Sequence, residues 1–231
     1  MRSHRIRKRT DRIDKTHLEK DNDPYHQVAK LIAKNKFGQA RRYAEKFGIK
    51  NKNSRFLCEV GVLFARMGRH ASASHMFKSA LDITPEDPIV HYNYGLYLKG
   101  NKDLKAAEKE FNIAVKFDDT NANYHSMYGN TLLELGKLKS AEQEFKTAIN
   151  LEPKNLFALT GLGNLALKNV DLKNAEHIFK RIIKLDKKYP VPYLSLFLLY
   201  SEQGREKDAK KIKKSAEKVN LKITIEKIEK S

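Results

Sequence analysis

The chain has 231 residues, enough for one ordinary domain with some excess or for one extended repeat array. Its 46 Lys and Arg against 28 Asp and Glu give a formal net charge of +18, which biases it toward acidic partners. With 32% charged and 40% apolar residues, no window approaches the roughly 18 uninterrupted apolar residues of a membrane-spanning helix, and a single Cys forms no internal disulfide, so a soluble protein of the reducing cytoplasm is predicted.

In chain order, the first 20 residues carry Arg2, Arg5, Arg7, Lys8, Arg9 and Arg12 without an apolar period, which predicts a disordered basic arm over 1–20. They lack the apolar stretch of a secretory signal, and Asp11 and Asp14 argue against a mitochondrial transit peptide. Residues 21–53 read as a degenerate helical hairpin, with Leu31, Phe37 and Ala40 near the places that later copies fill, offset by one residue.

From 54 to 220 one period of 34 residues governs the chain. Gly61, Gly95, Gly129 and Gly163 keep it, as do Ala73, Ala107, Ala141, Ala175 and Ala209, and Phe77, Phe111, Phe145 and Phe179. A fourth register, Ala80, Ala114, Ala148 and Ala216, has Ile182 in its gap. Within a unit one helix carries the Gly, and a second carries Ala, Phe and Ala at i, i+4 and i+7, a single helical stripe. A helix-interior Gly costs about 1 kcal/mol relative to Ala. Its recurrence therefore predicts the close approach of another helix backbone, with the Phe as knob and the Ala pair as sockets.

The punctuation agrees. Pro85 and Pro153 follow second helices, Pro88 and Pro190 are predicted to open first helices, and Asp87 reads as an N-cap. Gly68, Gly136 and Gly204 sit in the turn inside the hairpin, where positive φ is wanted. The units are 54–87, 88–121, 122–155, 156–189 and 190–220. In the last, Phe197 stands in the Gly register and Lys213 in the Phe register, so its second helix reads as decayed. That helix has a narrow stripe of Ala209, Ile212, Ala216 and Val219 among lysines. Residues 221–231 are predicted to form a capping segment, helical through Ile225 and Ile228, although Leu221, Ile223 and Ile225 also alternate as a strand would.

These registers resemble the tetratricopeptide repeat (TPR), whose consensus has an aromatic at position 4, Gly at 8, Ala at 20, an aromatic at 24, Ala at 27 and Pro at 32. The unit 122–155 fits best, with Gly129, Gly136, Ala141, Phe145, Ala148 and Pro153. The resemblance implies an all-α fold, a right-handed α-solenoid of about five helix-turn-helix units plus the degenerate N-terminal hairpin and a C-terminal capping helix. It further implies a non-enzymatic adaptor or scaffold that holds a peptide segment or helix of another protein in a concave groove lined by first helices.

Carried over by position, the groove would comprise Tyr92, Asn93, Leu96, Ser126, Met127, Asn130, Leu133, Phe157, Thr160, Asn164, Leu167, Leu194 and Leu198. Asn130 and Asn164 lie one period apart, and their amides suit a peptide backbone of any sequence. Family members that clamp a chaperone's terminal carboxylate use Lys at position 5. Here position 5 holds Cys58, Tyr92, Ser126, Thr160 and Leu194, so that clamp is not expected. TPR proteins of pilus assembly are a possible kin, but they resemble lipoproteins with an export signal.

No catalytic, metal or cofactor site is expected. His91 and His125 are one period apart at position 4, which reads as packing, Cys58 has no second Cys, and His70 and His75 do not share a helix face. Gly161, Gly163 and Ala166 match the phosphate-cradling G-x-G-x-x-A, but no strand pattern precedes them and Gly163 already belongs to the repeat. The alternative to an adaptor is a nucleic-acid or ribonucleoprotein-associated protein contacting phosphates through its basic arm and C-terminal Lys cluster, and the lysines have no interleaved aromatics to stack bases.

Overall fold

The computed structural model describes residues 23–219; the arm 1–20 and the capping segment 221–231 lie outside the described residues. Among the described residues there are twelve helices and no strand. They are α1 (Pro24–Ala33), α2 (Phe37–Lys50), α3 (Ser54–Arg66), α4 (His70–Ile83), α5 (Pro88–Gly100), α6 (Leu104–Phe117), α7 (Ala122–Glu134), α8 (Leu138–Leu151), α9 (Leu156–Lys168), α10 (Leu172–Leu185), α11 (Val191–Glu202) and α12 (Glu206–Glu217). They form two compact units, the first ending at Tyr97 and the second beginning at Leu98, within α5. Each unit is built from stacked antiparallel hairpins, the all-α solenoid arrangement.

Local chemistry sets where the helices start and stop. Asn53, Asp103, Asn121, Asn155 and Asp171 each accept a backbone N–H of the first turn that follows, at 3.0–3.2 Å. Asp87 does the same for Ile89 at 2.9 Å, ahead of Pro88 at the first helical position. Pro190, by contrast, stands one residue outside α11 as its cap. Inside the hairpins the chain turns on a left-handed residue: Gly68, Gly136 and Gly204 have φ of +68°, +78° and +67°, while Lys102 and Val170 hold the same register at +66° and +59°.

In the first unit, Phe56, Phe64 and Phe77 are fully buried. The Phe56 ring meets Tyr25 at 4.8 Å and Phe47 at 5.1 Å, tying the hairpin α1–α2 to α3, and Phe77 stacks on Tyr94 at 5.2 Å.

In the second unit, Phe111, Phe145 and Phe179 are fully buried beside Ala107, Ala141 and Ala175. Here the structure corrects the reading of the periodic glycines. What comes close to them is the Phe ring of the second helix, not a helix backbone: a Cβ built at Gly129 would lie 2.7 Å from the Phe145 ring, and one at Gly163 would lie 2.7 Å from the Phe179 ring. The glycine is the socket and the phenylalanine the knob, and the alanines let the helices close around both. A Cβ at Gly161 would overlap Phe145 as well, so that ring is held between glycines of two successive first helices. Both glycines of the G-x-G-x-x-A string are thus explained by packing, inside a helix.

The terminal hairpin does form a second helix, α12, with Ala209 and Ala216 buried. Phe197 packs into the cluster around Leu159, Phe179 and Leu196, so the large side chain of this hairpin comes from its first helix. A carboxylate secures it. Glu176 on α10 receives Arg205 at 2.7 Å, Lys180 at 2.6 Å and the Tyr200 hydroxyl at 3.0 Å, and Arg205 lies 4.4 Å over the Tyr200 ring.

Candidate functional site

The position-4 residues have a structural task, as their pattern suggested. His91 meets the Pro85 carbonyl at 2.8 Å, His125 the Asp119 carbonyl at 3.0 Å, and the Tyr193 hydroxyl donates to the Lys187 carbonyl at 3.0 Å, always six residues upstream. Leu159 lacks a donor at this register, and Arg181 donates to the Pro153 carbonyl instead, at 3.0 Å. His125 also bonds Glu144 at 2.7 Å through its other ring nitrogen. Facing an acceptor at each nitrogen, it has its pKa raised, first by Glu144 and against the opposing effect of burial.

Among the described residues no group of three or more His, Cys, Asp or Glu is arranged to hold a metal ion. Burial pushes the Cys58 thiol up to about 12, with Asp87 and Glu59 adding to the effect, so it is protonated and poorly nucleophilic at neutral pH.

The thirteen groove candidates fall into different environments. In the first unit Tyr92, Asn93 and Leu96 are half-buried; the Asn93 amide donates to its own helix at Ile89, at 2.9 Å, and burial raises the Tyr92 pKa. In the second unit Ser126 is fully buried. Its single O–H is shared between the Ala122 carbonyl at 2.7 Å and the Asn155 Oδ1 at 3.0 Å, so Ser126 is not a ligand-facing residue but part of a polar joint between α7 and α9. Asn155 centres that joint: buried, it caps α9 and donates to Asn123 at 3.1 Å and Glu152 at 2.8 Å. Leu133 is buried too. Sequence reasoning missed Asn155, although its place just before Leu156 is an N-cap signal.

Met127, Asn130, Thr160, Asn164, Leu167 and Leu198 are half-buried, while Phe157 and Leu194 are 53% and 40% exposed. The Asn130 amide donates to the Ser126 carbonyl at 2.9 Å, and among the described residues its oxygen has no partner and Asn164 makes no corresponding bond. The Thr160 hydroxyl is buried and has no partner among the described residues. Electrostatics distinguish this set: α7, α9 and α11 each contain one Asp, Glu, Lys or Arg, at the last residue, namely Glu134, Lys168 and Glu202. The second helices α6, α8, α10 and α12 carry at least four charged residues each, and the turns carry more.

Residues 101–222, more than half of the chain, match the family described as the Cilia and flagella-associated protein 70 middle TPR-like domain, and residues 61–122 match the tetratricopeptide repeat. No curated protein sequence matches the chain significantly. Among solved structures, the fold is similar to a tetratricopeptide repeat protein from Parabacteroides merdae, at 17% identity and a TM-score of 0.70 over 84% of this chain and 77% of that one. It is similar to PilW, described as a widely conserved type IV pilus biogenesis factor, at 18% identity and a TM-score of 0.68 over 84% and 90%. It is also similar to YrrB, described as a TPR protein with an unusual peptide-binding site, at 17% identity and a TM-score of 0.58 over 76% and 92%. At these identities the likeness is one of fold.

Proposed function

Because the chain belongs to the tetratricopeptide-repeat family, we propose that it is a non-enzymatic scaffold whose second unit binds a peptide segment of a partner protein along the first helices α7, α9 and α11. The observation that carries this reading is the confinement of charge in those helices to their last residues, together with the exposure of Phe157 and Leu194. An exposed Phe on a helix otherwise packed into the unit offers an apolar anchor point, and the amides of Asn130 and Asn164 offer hydrogen bonds to an extended backbone. The one Lys or Arg of these helices, Lys168, stands at the end of α9 and donates to the Leu133 carbonyl, so the surface offers little to terminal carboxylates and phosphates, which favours an uncharged peptide with apolar side chains over nucleic acid. The fold likeness to YrrB is in keeping with a peptide ligand.

The test is selection of peptides from a random display library on the immobilised chain, followed by calorimetry of the selected peptides. Asn130→Ala with Asn164→Ala is expected to weaken them by about 1–3 kcal/mol while leaving the thermal melt unchanged, and Phe157→Ser is expected to weaken them further. Deleting residues 1–20 is expected to leave affinity unaltered at physiological salt. Loss of binding on arm deletion, with both groove variants behaving as wild type, sinks the proposal.

A further inference from the structure

The side of the second unit built from its second helices holds a cleft unlike the uncharged surface of α7, α9 and α11. It lies between α10 and α12 and has a volume of ≈ 450 Å³. Ile183 and Ile212, both half-buried against the core, line its apolar part. His177, Lys180, Arg181 and Lys184 stand around it, all exposed, and no acidic side chain lines it. Lys180 is held by Glu176 and Arg181 spends one N–H on the Pro153 carbonyl, while Lys184 and His177 have no acidic partner among the described residues. The two helices flanking the cleft carry nine Lys and Arg against four Asp and Glu.

Repeat packing explains the apolar part and does not explain the cations. One period earlier, the isoleucines recur as Ile149 and Ile178, as stacking of second helices requires, but His177, Lys180, Arg181 and Lys184 correspond to Gln143, Lys146, Thr147 and Asn150. The repeat therefore does not require the four cationic side chains that meet here, and the lysine-lined pocket between α6 and the turn from α7 to α8 differs in including Glu108. We propose that it is a second docking surface, taking an acidic amphipathic segment of a partner protein whose aliphatic side chains cover Ile183 and Ile212 and whose carboxylates pair with Lys184 and its neighbours. Charge complementarity selects an acidic ligand, and the isoleucines select a protein segment over nucleic acid. Phosphates gain nothing from aliphatic contact, and of the two aromatic rings of the cleft Tyr193 is 2% exposed with its hydroxyl already bonded to Lys187, which leaves the His177 imidazole as the one face a base could stack on.

The probe is a fluorescein-labelled peptide of about 12 residues repeating Asp-Glu-Leu, titrated with the full chain by fluorescence anisotropy at about 0.15 M salt. Its controls are the same peptide with every Leu replaced by Ser and an oligo(dT) about 15 nucleotides long. The Leu-containing peptide is expected to bind at least tenfold more tightly than either control. Lys184→Glu and, separately, Ile212→Ser are expected to weaken it at least tenfold with unchanged circular dichroism, while Phe157→Ser leaves it as in wild type. Equal binding of the Ser control or of oligo(dT) reduces the cleft to an unspecific basic surface and overturns the proposal, as does indifference to Lys184→Glu. Ile225→Ser with Ile228→Ser in the full chain tests whether the chain's own last residues fill the cleft; a tenfold gain in affinity from that change also overturns it.

Discussion

Val170 holds a left-handed backbone at φ +59° with its side chain 75% exposed, so nothing packs against it to offset the strain. A β-branched residue in that region costs roughly 1–2 kcal/mol, which glycine avoids. Its neighbour offers compensation. At Lys102 and Val170 the next residue is an Asp that caps the following helix; where the turn is Gly68, Gly136 or Gly204, or Asn35, a residue type that tolerates this conformation, the next residue is Arg69, Lys137, Arg205 or Lys36, with no side-chain cap. A cap contributes about 1 kcal/mol, comparable to the strain it accompanies. Val170→Gly is therefore expected to raise stability by about 1 kcal/mol in a urea melt, and no gain would refute the strain argument. The socket glycines differ among themselves in a way the period hides. A Cβ at Gly61 would lie 3.2 Å from the Phe77 ring, a gap that a small shift relieves, whereas one at Gly161 would overlap Phe145. Gly161→Ala is expected to cost about 1–3 kcal/mol, and Gly61→Ala to be near neutral because helix propensity offsets the crowding. Equal effects in the same melt would show that the rings move freely.

Between elements, the same packing is reached by different residues in different hairpins. The carbonyl that precedes α5, α7, α11 and α9 is met by His91, His125, Tyr193 and, from a neighbouring helix, Arg181. A hydrogen-bond requirement is conserved through the repeat, and the residue type that meets it is not. The last hairpin depends instead on ions. Arg205 foremost, then Lys180 and Tyr200, pull the Glu176 pKa from its ordinary 4.5 to about 2. A carboxylate whose folded value lies below its unfolded one contributes stability that is complete above about pH 4.5 and is lost as the pH falls through about 2. Glu176→Gln is accordingly expected to flatten the acid limb of the stability profile in that window. At neutral pH it is expected to accelerate hydrogen exchange in α11 and α12 while sparing α6 to α8; uniform acceleration would show that the contact is not local to the terminal hairpin.

On the scale of the whole molecule, a formal charge of +18 does not describe the surfaces that meet a partner, because in the second unit the charge is sorted by helix: α7, α9 and α11 carry one ion each and α6, α8, α10 and α12 at least four each, with more in the turns. Peptide binding along α7, α9 and α11 is thus expected to change less than about threefold between about 50 and about 300 mM salt, while an acidic peptide in the α10–α12 cleft loses at least about tenfold; equal salt dependence in parallel titrations would show that the two surfaces are not electrostatically distinct. The sequence by itself determined the twelve-helix pattern's period, its turns, the Asp87 cap and its family, because a 34-residue repeat writes the same packing problem into the chain several times, and Gly, Ala, Phe and Pro are each selected by a local constraint. It did not determine which candidate side chains are available to a ligand. Ser126 and Leu133 share helix positions with residues that face outward in the family pattern, yet Ser126 is spent on Asn155 and Leu133 is enclosed. Nor did it determine that the Gly sockets hold rings or that Phe197 supplies the bulk of the last hairpin. Those facts depend on distances between residues 16 to 32 apart in the chain, which only the packed helices fix: position in a repeat assigns a side chain to a face, and the neighbours it meets there decide whether that face is open.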